Sequence, residues 1–224
     1  MKVRELFLTD ITKLAKYDYI GGSLDMPSAP KGIKWKPLPG GSGLVWASDR
    51  VGRRITIYIN HADPIEKEQV LGCLTLTQFD APSKGDLTNA YQVDTISVLE
   101  DSRKIGIGRA LYGIALTILK LTLVAGTGQT PAGRKAWLNL ASTAGVEVKG
   151  LFMTKDDKNM EDADKIMQLG GQYLGSSMSI YGGKEHFWAF DVVEGKGELA
   201  PAIKNELSDI YKKFWTTMYA KWRG

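Results

Sequence analysis

The 224-residue chain contains one cysteine and two histidines. A single thiol, Cys73, excludes an internal disulfide. So few thiol and imidazole ligands also argue against a structural zinc site, and no metal is expected. No stretch reaches the ~20 consecutive apolar residues of a membrane span, so no membrane role is expected. The opening MKVRELFLTD has no apolar run of signal-peptide length, and the expectation is a cytoplasmic protein. Internal repeats and low-complexity tracts are absent. The G-x-x-x-x-G-K-[ST] nucleotide-binding pattern is also missing, and Leu111 stands where a G-x-G-x-x-G fingerprint needs its third glycine.

What is present is an ordinary soluble composition, 43% hydrophobic and 24% charged, with a net charge of +4. That balance favours anionic ligands such as phosphates, or loose contact with nucleic acid, and selects neither. The length suits one domain with an appendage.

Apolar periodicity lays out the elements. Asp10 can cap a helix carrying Ile11, Leu14 and Ala15 on one face. Residues 21 to 43 are rich in glycine and proline and read as a long loop. Gly43–Ser48 and Arg54–Asn60 flank a turn and form a hairpin, with Ile55, Ile57 and Ile59 on one side. Val70–Phe79 is the next strand, with Gly72 as a candidate bulge, and Tyr91–Val98 follows. A helix runs from Gly106 to about Lys120. Leu121–Ala125 is a short buried strand, and Pro131 opens a helix that buries Ala136, Trp137 and Leu140. Val146–Phe152 is a strand, and Lys158–Leu169 a charged helix. Ser176–Tyr181 and His186–Val192 pair as a final hairpin. Residues 195 to 224 read as a polar link and then a long closing helix with Trp215, Tyr219 and Trp222. The class is α+β, with a mixed, mostly antiparallel central sheet flanked by helices and a C-terminal helical extension. The division is 1–195 for the main domain and 196–224 for the extension.

Everything turns on Tyr91–Tyr112, YQVDTISVLEDSRKIGIGRALY. An alternating strand runs into Arg103-Lys104-Ile105-Gly106-Ile107-Gly108-Arg109, which then opens a helix. Glycines let a backbone approach a ligand, and unpaired N–H groups at a helix start donate to a phosphate. Each hydrogen bond to such a charged group contributes on the order of 1.5–3 kcal/mol. Arg103, Lys104 and Arg109 add positive charge. This is a diphosphate cradle in outline, although Gly-x-Gly alone also serves as a packing turn.

Arg-x-x-Gly-x-Gly directly after an alternating strand, followed by Ala-Leu-Tyr on the helix, resembles the GNAT superfamily of acetyl-CoA-dependent N-acetyltransferases. The resemblance implies that Arg103, Lys104, Ile105, Gly106, Ile107, Gly108 and Arg109 hold the coenzyme A pyrophosphate. It also implies that Ile96, Ser97 and Val98 bind the pantetheine arm through their backbone. Acetyl-CoA would be the co-substrate and a primary amine the acceptor, with direct attack in a ternary complex. Gly126–Trp137 (GTGQTPAGRKAW) resembles a stretch of phage-encoded members, which would place the protein in a host cytoplasm.

The catalytic half departs from the family pattern. Family spacing puts Thr130 at an asparagine position near the pantetheine and Trp137 at the position of the usual acid, a tyrosine. An indole cannot donate that proton, so Trp137 reads as core or as a wall of the acyl pocket. Tyr112 reads as packing. Tyr173 and Tyr181 are candidate substitutes from the last strands. Gln92 stands where a glutamate is common. Asp94, on the same strand face, ranks first as base; its plainer role is a hydrogen-bonded strand carboxylate. His61 and His186 read as surface residues. Cys73 reads as a small apolar residue, with no histidine or acid nearby to support an acyl-cysteine.

Two further functions stay open. One is a non-catalytic GNAT-fold binding or virion-associated protein. The other is a phage acyltransferase that modifies nucleic acid, for which only the basic balance and the tryptophan-rich tail speak. The last helix also offers a surface for a homodimer or a protein partner.

Overall fold

The computed structural model describes residues 28–62, 70–82, 84–126, 129, 131–155, 163–178, 183–193, 199–210 and 214–224. The expected helix after Asp10 lies outside them. The strands are β1 (Lys36–Pro37), β2 (Leu44–Val51), β3 (Arg54–His61), β4 (Gly72–Gln78), β5 (Ala90–Val98), β6 (Thr122–Val124), β7 (Val146–Lys155), β8 (Gln172–Met178), β9 (Lys184–Phe190) and β10 (Phe214–Trp222). They form one sheet in the order β1-β2-β3-β4-β5-β6-β10-β7-β9-β8. β5 and β6 pair parallel, and the other neighbours pair antiparallel. The α+β class is therefore as expected.

Alternation sorts the side chains. Ile55, Ile57 and Ile59 of β3 and Leu74 and Leu76 of β4 join one core with Ile107, Leu111, Ile114, Trp137 and Leu140. Those last five come from the helices α1 (Ile107–Gly113), which continues as a π-helical turn over Ile114–Ile118, and α2 (Pro131–Ala141). Helices α3 (Ala163–Gln168) and α4 (Pro201–Ile210) bring Ile166 and Leu207 onto Phe152, Trp188 and Phe190. A separate cluster holds Leu87, Ala90, Val124, Met153, Phe187 and Tyr219. Among the described helices none is long and apolar enough to cross a membrane.

The C-terminal helical extension is corrected. Among the described residues of that segment only Pro201–Ile210 is helical, and Phe214–Trp222 is β10, inserted between β6 and β7. The spacing of Tyr219 and Trp222 fits a helix, but the segment registers residue for residue against β7 from Phe214↔Thr154 to Trp222↔Val146. As a strand it sends Tyr219 into the cluster with Val124, while Trp222 packs against the other core. Pairing on both edges overrides local spacing, as tertiary context commonly does for strands.

Gly72 is not a bulge. A Cβ there would stand 2.5 Å from Ile107 Cγ2, so its bare backbone is the seat on which α1 rests.

Candidate functional site

Strand β5 carries the site. On one edge it pairs with β4 from Gln78↔Tyr91 to Gly72↔Val98. On the other it pairs with β6 only over Ala90–Gln92. The β4 register passes from Leu76↔Val93 to Thr75↔Thr95, leaving Asp94 without a counterpart. This extra residue is a bulge, which bends its strand and sharpens the twist. Beyond it the two parallel strands part at their carboxyl ends, the place where open sheets commonly bind ligands. Gly126 sits where the chain leaves β6, and a Cβ there would lie 3.0 Å from the Val93 carbonyl oxygen.

Above the parting, a 3-10 turn over Glu100–Ile105 ends at Gly106, whose φ of 83° lies in the left-handed region. That conformation favours glycine because it has no Cβ. Helix α1 then starts with no side-chain cap and no acidic residue in its first turn. Its ladder begins with Ala110 N donating to Gly106 O. Glu100 and Asp101 are exposed. At Gly108 a Cβ would meet Ile96 Cδ1 at 3.7 Å and Val98 Cγ2 at 4.0 Å, an ordinary contact. Packing within the protein therefore does not demand that glycine.

Ile96 and Val98 pack their side chains against the helix-covered core, leaving their backbone to face along the sheet. Ser97 is half-buried opposite Cys73. Arg103 is half-buried, and its Nε donates to Val98 O at 3.4 Å. Arg109 is half-buried on α1, and Ile105 is exposed beside the glycines. Thr130, Tyr181 and the side chain of Lys104 lie outside the described residues. The structure thus brings Ile96, Ser97, Val98 and the Arg103–Arg109 loop to one end of β5.

Asp94 is exposed on the bulge. Thr77 Oγ1 donates to its Oδ2 at 2.5 Å, and Arg54 Nε stands 4.0 Å away. The break in alternation at Asp94-Thr95, two polar residues side by side in an apolar strand, is the sequence signal of this bulge.

The other candidates fall elsewhere. Tyr173 is on β8, five strand positions from β5 and at the sheet's far edge. Its hydroxyl bonds His186 Nδ1 at 3.0 Å, and its ring packs on Trp188 with centroids 4.7 Å apart. His186 is 2% exposed, which corrects its reading as a surface residue: β9 turns it into the face that also buries Thr154. His61 is exposed at the end of β3. Trp137 is buried and meets Tyr112 edge-on, with centroids 6.4 Å apart, so both belong to the core. Burial pushes the Cys73 thiol up to about 11, only partly opposed by a backbone hydrogen bond at Ser97. It stays protonated at neutral pH and is no nucleophile. Among the described residues no group of three or more His, Cys, Asp or Glu could hold a metal ion.

No protein-family model matches the chain, and no curated protein matches it. Solved structures that resemble it include two assigned to the GNAT family of acetyltransferases. One, from Desulfovibrio desulfuricans, is 12% identical with a TM-score of 0.25, over 62% of this chain and 69% of that one. The other, from Bacteroides thetaiotaomicron, is 12% identical with a TM-score of 0.28, over 74% of this chain and 77% of that one. Overlap at this level assigns no activity, and the weight rests on the site itself.

Proposed function

We propose that the chain binds acetyl-CoA where β5 and β6 part and transfers the acetyl group to a primary amine by direct attack in a ternary complex. The observation that carries this reading is the open edge of β5. Past the Asp94 bulge it has no strand partner on the β6 side among the described residues, and it leads straight to a helix start behind Gly106 that has no side-chain cap. The amides of α1, with Arg103, Lys104 and Arg109, suit a diphosphate. Backbone groups of Ile96 and Val98 suit an amide-bearing arm laid along the edge like an added strand, while those of Ser97 face β4.

The co-substrate supplies an activated thioester. The chain's own residues would orient the amine and remove its proton. Asp94 stands at the bulge beside the parting and takes that proton, directly or through a water. Thr77 Oγ1 holds the carboxylate in place.

One observation favours a second reading, a CoA-binding protein without turnover: Trp137 lies buried against Tyr112 and offers no proton to a leaving thiolate. A time course with acetyl-CoA and a panel of amines, run on the full chain and on Asp94→Asn, separates the two. Acetylated amine from the wild type, with kcat lowered about 10²–10⁴-fold in Asp94→Asn, supports the enzyme. Tight CoA binding with no product from any amine supports the second reading.

A further inference from the structure

The peptide joining Val98 to Leu99 decides what faces the parting. Leu99 N donates to Leu71 O at 2.9 Å, on the β4 side of the strand. In a planar trans peptide the C=O points opposite to the N–H, so Val98 O points away from β4. On that side β6 pairs no further than Gln92. Val98 O is therefore the last carbonyl on the free edge, and Arg103 Nε, five residues on, holds it at 3.4 Å. That length lies beyond the usual 2.7–3.2 Å range of N–H···O bonds, so the contact is weak and readily exchanged.

We propose that Arg103 is a positioning residue with two alternate partners: the Val98 carbonyl when the edge is free, and the diphosphate when coenzyme A is bound. The inference rests on the cofactor reading above and adds a specific exchange to it. A guanidinium has five N–H donors in a fixed fork and binds phosphate through two of them. The side chain leaves from the turn directly before Gly106, so it can serve either the strand edge or the helix start. Turning to the phosphates frees Val98 O for an N–H of the pantetheine arm. Occupying one half of the site thus unlocks the other, and coupling between the halves is the signature.

Calorimetric titration of the full chain with coenzyme A, with ADP and with pantetheine, which has the arm and lacks the diphosphate, reads that coupling. ADP has the diphosphate and lacks the arm. Arg103→Ala is expected to weaken ADP by about 10- to 100-fold, the loss of a hydrogen bond to a charged group. It is expected to weaken coenzyme A by about the same factor, and to leave pantetheine unweakened or bound more tightly, because the arm then meets Val98 O without displacing a side chain. Arg103→Lys keeps the charge but cannot reproduce the fork, so its ADP loss should be smaller. Thermal melting confirms that both variants fold. Pantetheine binding weakened by Arg103→Ala overturns the exchange and leaves the cofactor reading standing. So does a wild type that binds coenzyme A but not ADP. If the wild type binds neither, the cofactor reading falls and the exchange with it.

Discussion

Ile107 rests on Gly72: a Cβ at position 72 would lie 2.5 Å from Ile107 Cγ2 and 3.1 Å from the Ser97 carbonyl oxygen. Ile107 is fully buried and opens α1, so this one contact sets how closely the helix start approaches β4 and β5. Gly72→Ala should cost about 1–3 kcal/mol, the range for overpacking a filled core. Urea unfolding at neutral pH measures it. Coenzyme A affinity should fall in the same variant, because Gly106 and the first amides of α1 must move with Ile107.

The two glycines of the loop should respond with opposite signs. Gly106 has φ 83°, so Gly106→Ala forces an L side chain into the left-handed region, at about 1–2 kcal/mol. Gly108 is helical, with room for a methyl group, so Gly108→Ala should be neutral or stabilise by a few tenths up to ~0.8 kcal/mol. Chemical denaturation of the two variants side by side checks this. Loss of stability in both would show that Gly108 is held in place by packing after all.

Acid should loosen the C-terminal strand. Asp86 lies 2.8 Å from Arg223 and 3.6 Å from Lys221, joining the loop before β5 to the end of β10. Burial would raise its pKa. The hydrogen bond and charge of Arg223, with Lys221, outweigh burial and hold it below the usual carboxylate range. A group depressed in the folded state contributes stability above its unfolded pKa, near 3.9, and loses it as pH falls through the folded value. The side chains are partly exposed and screened, so the contribution is on the order of 1 kcal/mol. Wild type should lose this increment between about pH 5 and pH 2, while Asp86→Asn lacks it throughout. Parallel stability curves for the two would contradict the linkage.

Much of the sheet is legible in the sequence because its central strands alternate cleanly: Ile55, Ile57 and Ile59 face the core as their spacing requires. Gly106 is legible for a similar reason, since a strand, a basic turn and a glycine before an apolar helix leave few arrangements. The C-terminal strand is not. Its aromatic spacing satisfies helix and strand alike, and only the open slot between β6 and β7 decides. The Asp94 bulge is marked by two adjacent polar residues, but register against β4 is needed to see it. Tyr173 and His186 show the limit most plainly. They are thirteen residues apart, read separately as an acid and a surface group, and pairing of β8 with β9 makes them hydrogen-bonded neighbours.

The central claim is that coenzyme A lies along the free edge of β5 and against the start of α1. Amide hydrogen exchange on the full chain, with and without saturating coenzyme A, tests it by location. The account predicts new protection concentrated in Val93–Val98 and Ile105–Arg109, with β8 and β9 unchanged. Binding without protection of those two segments, or no binding at all, would contradict it.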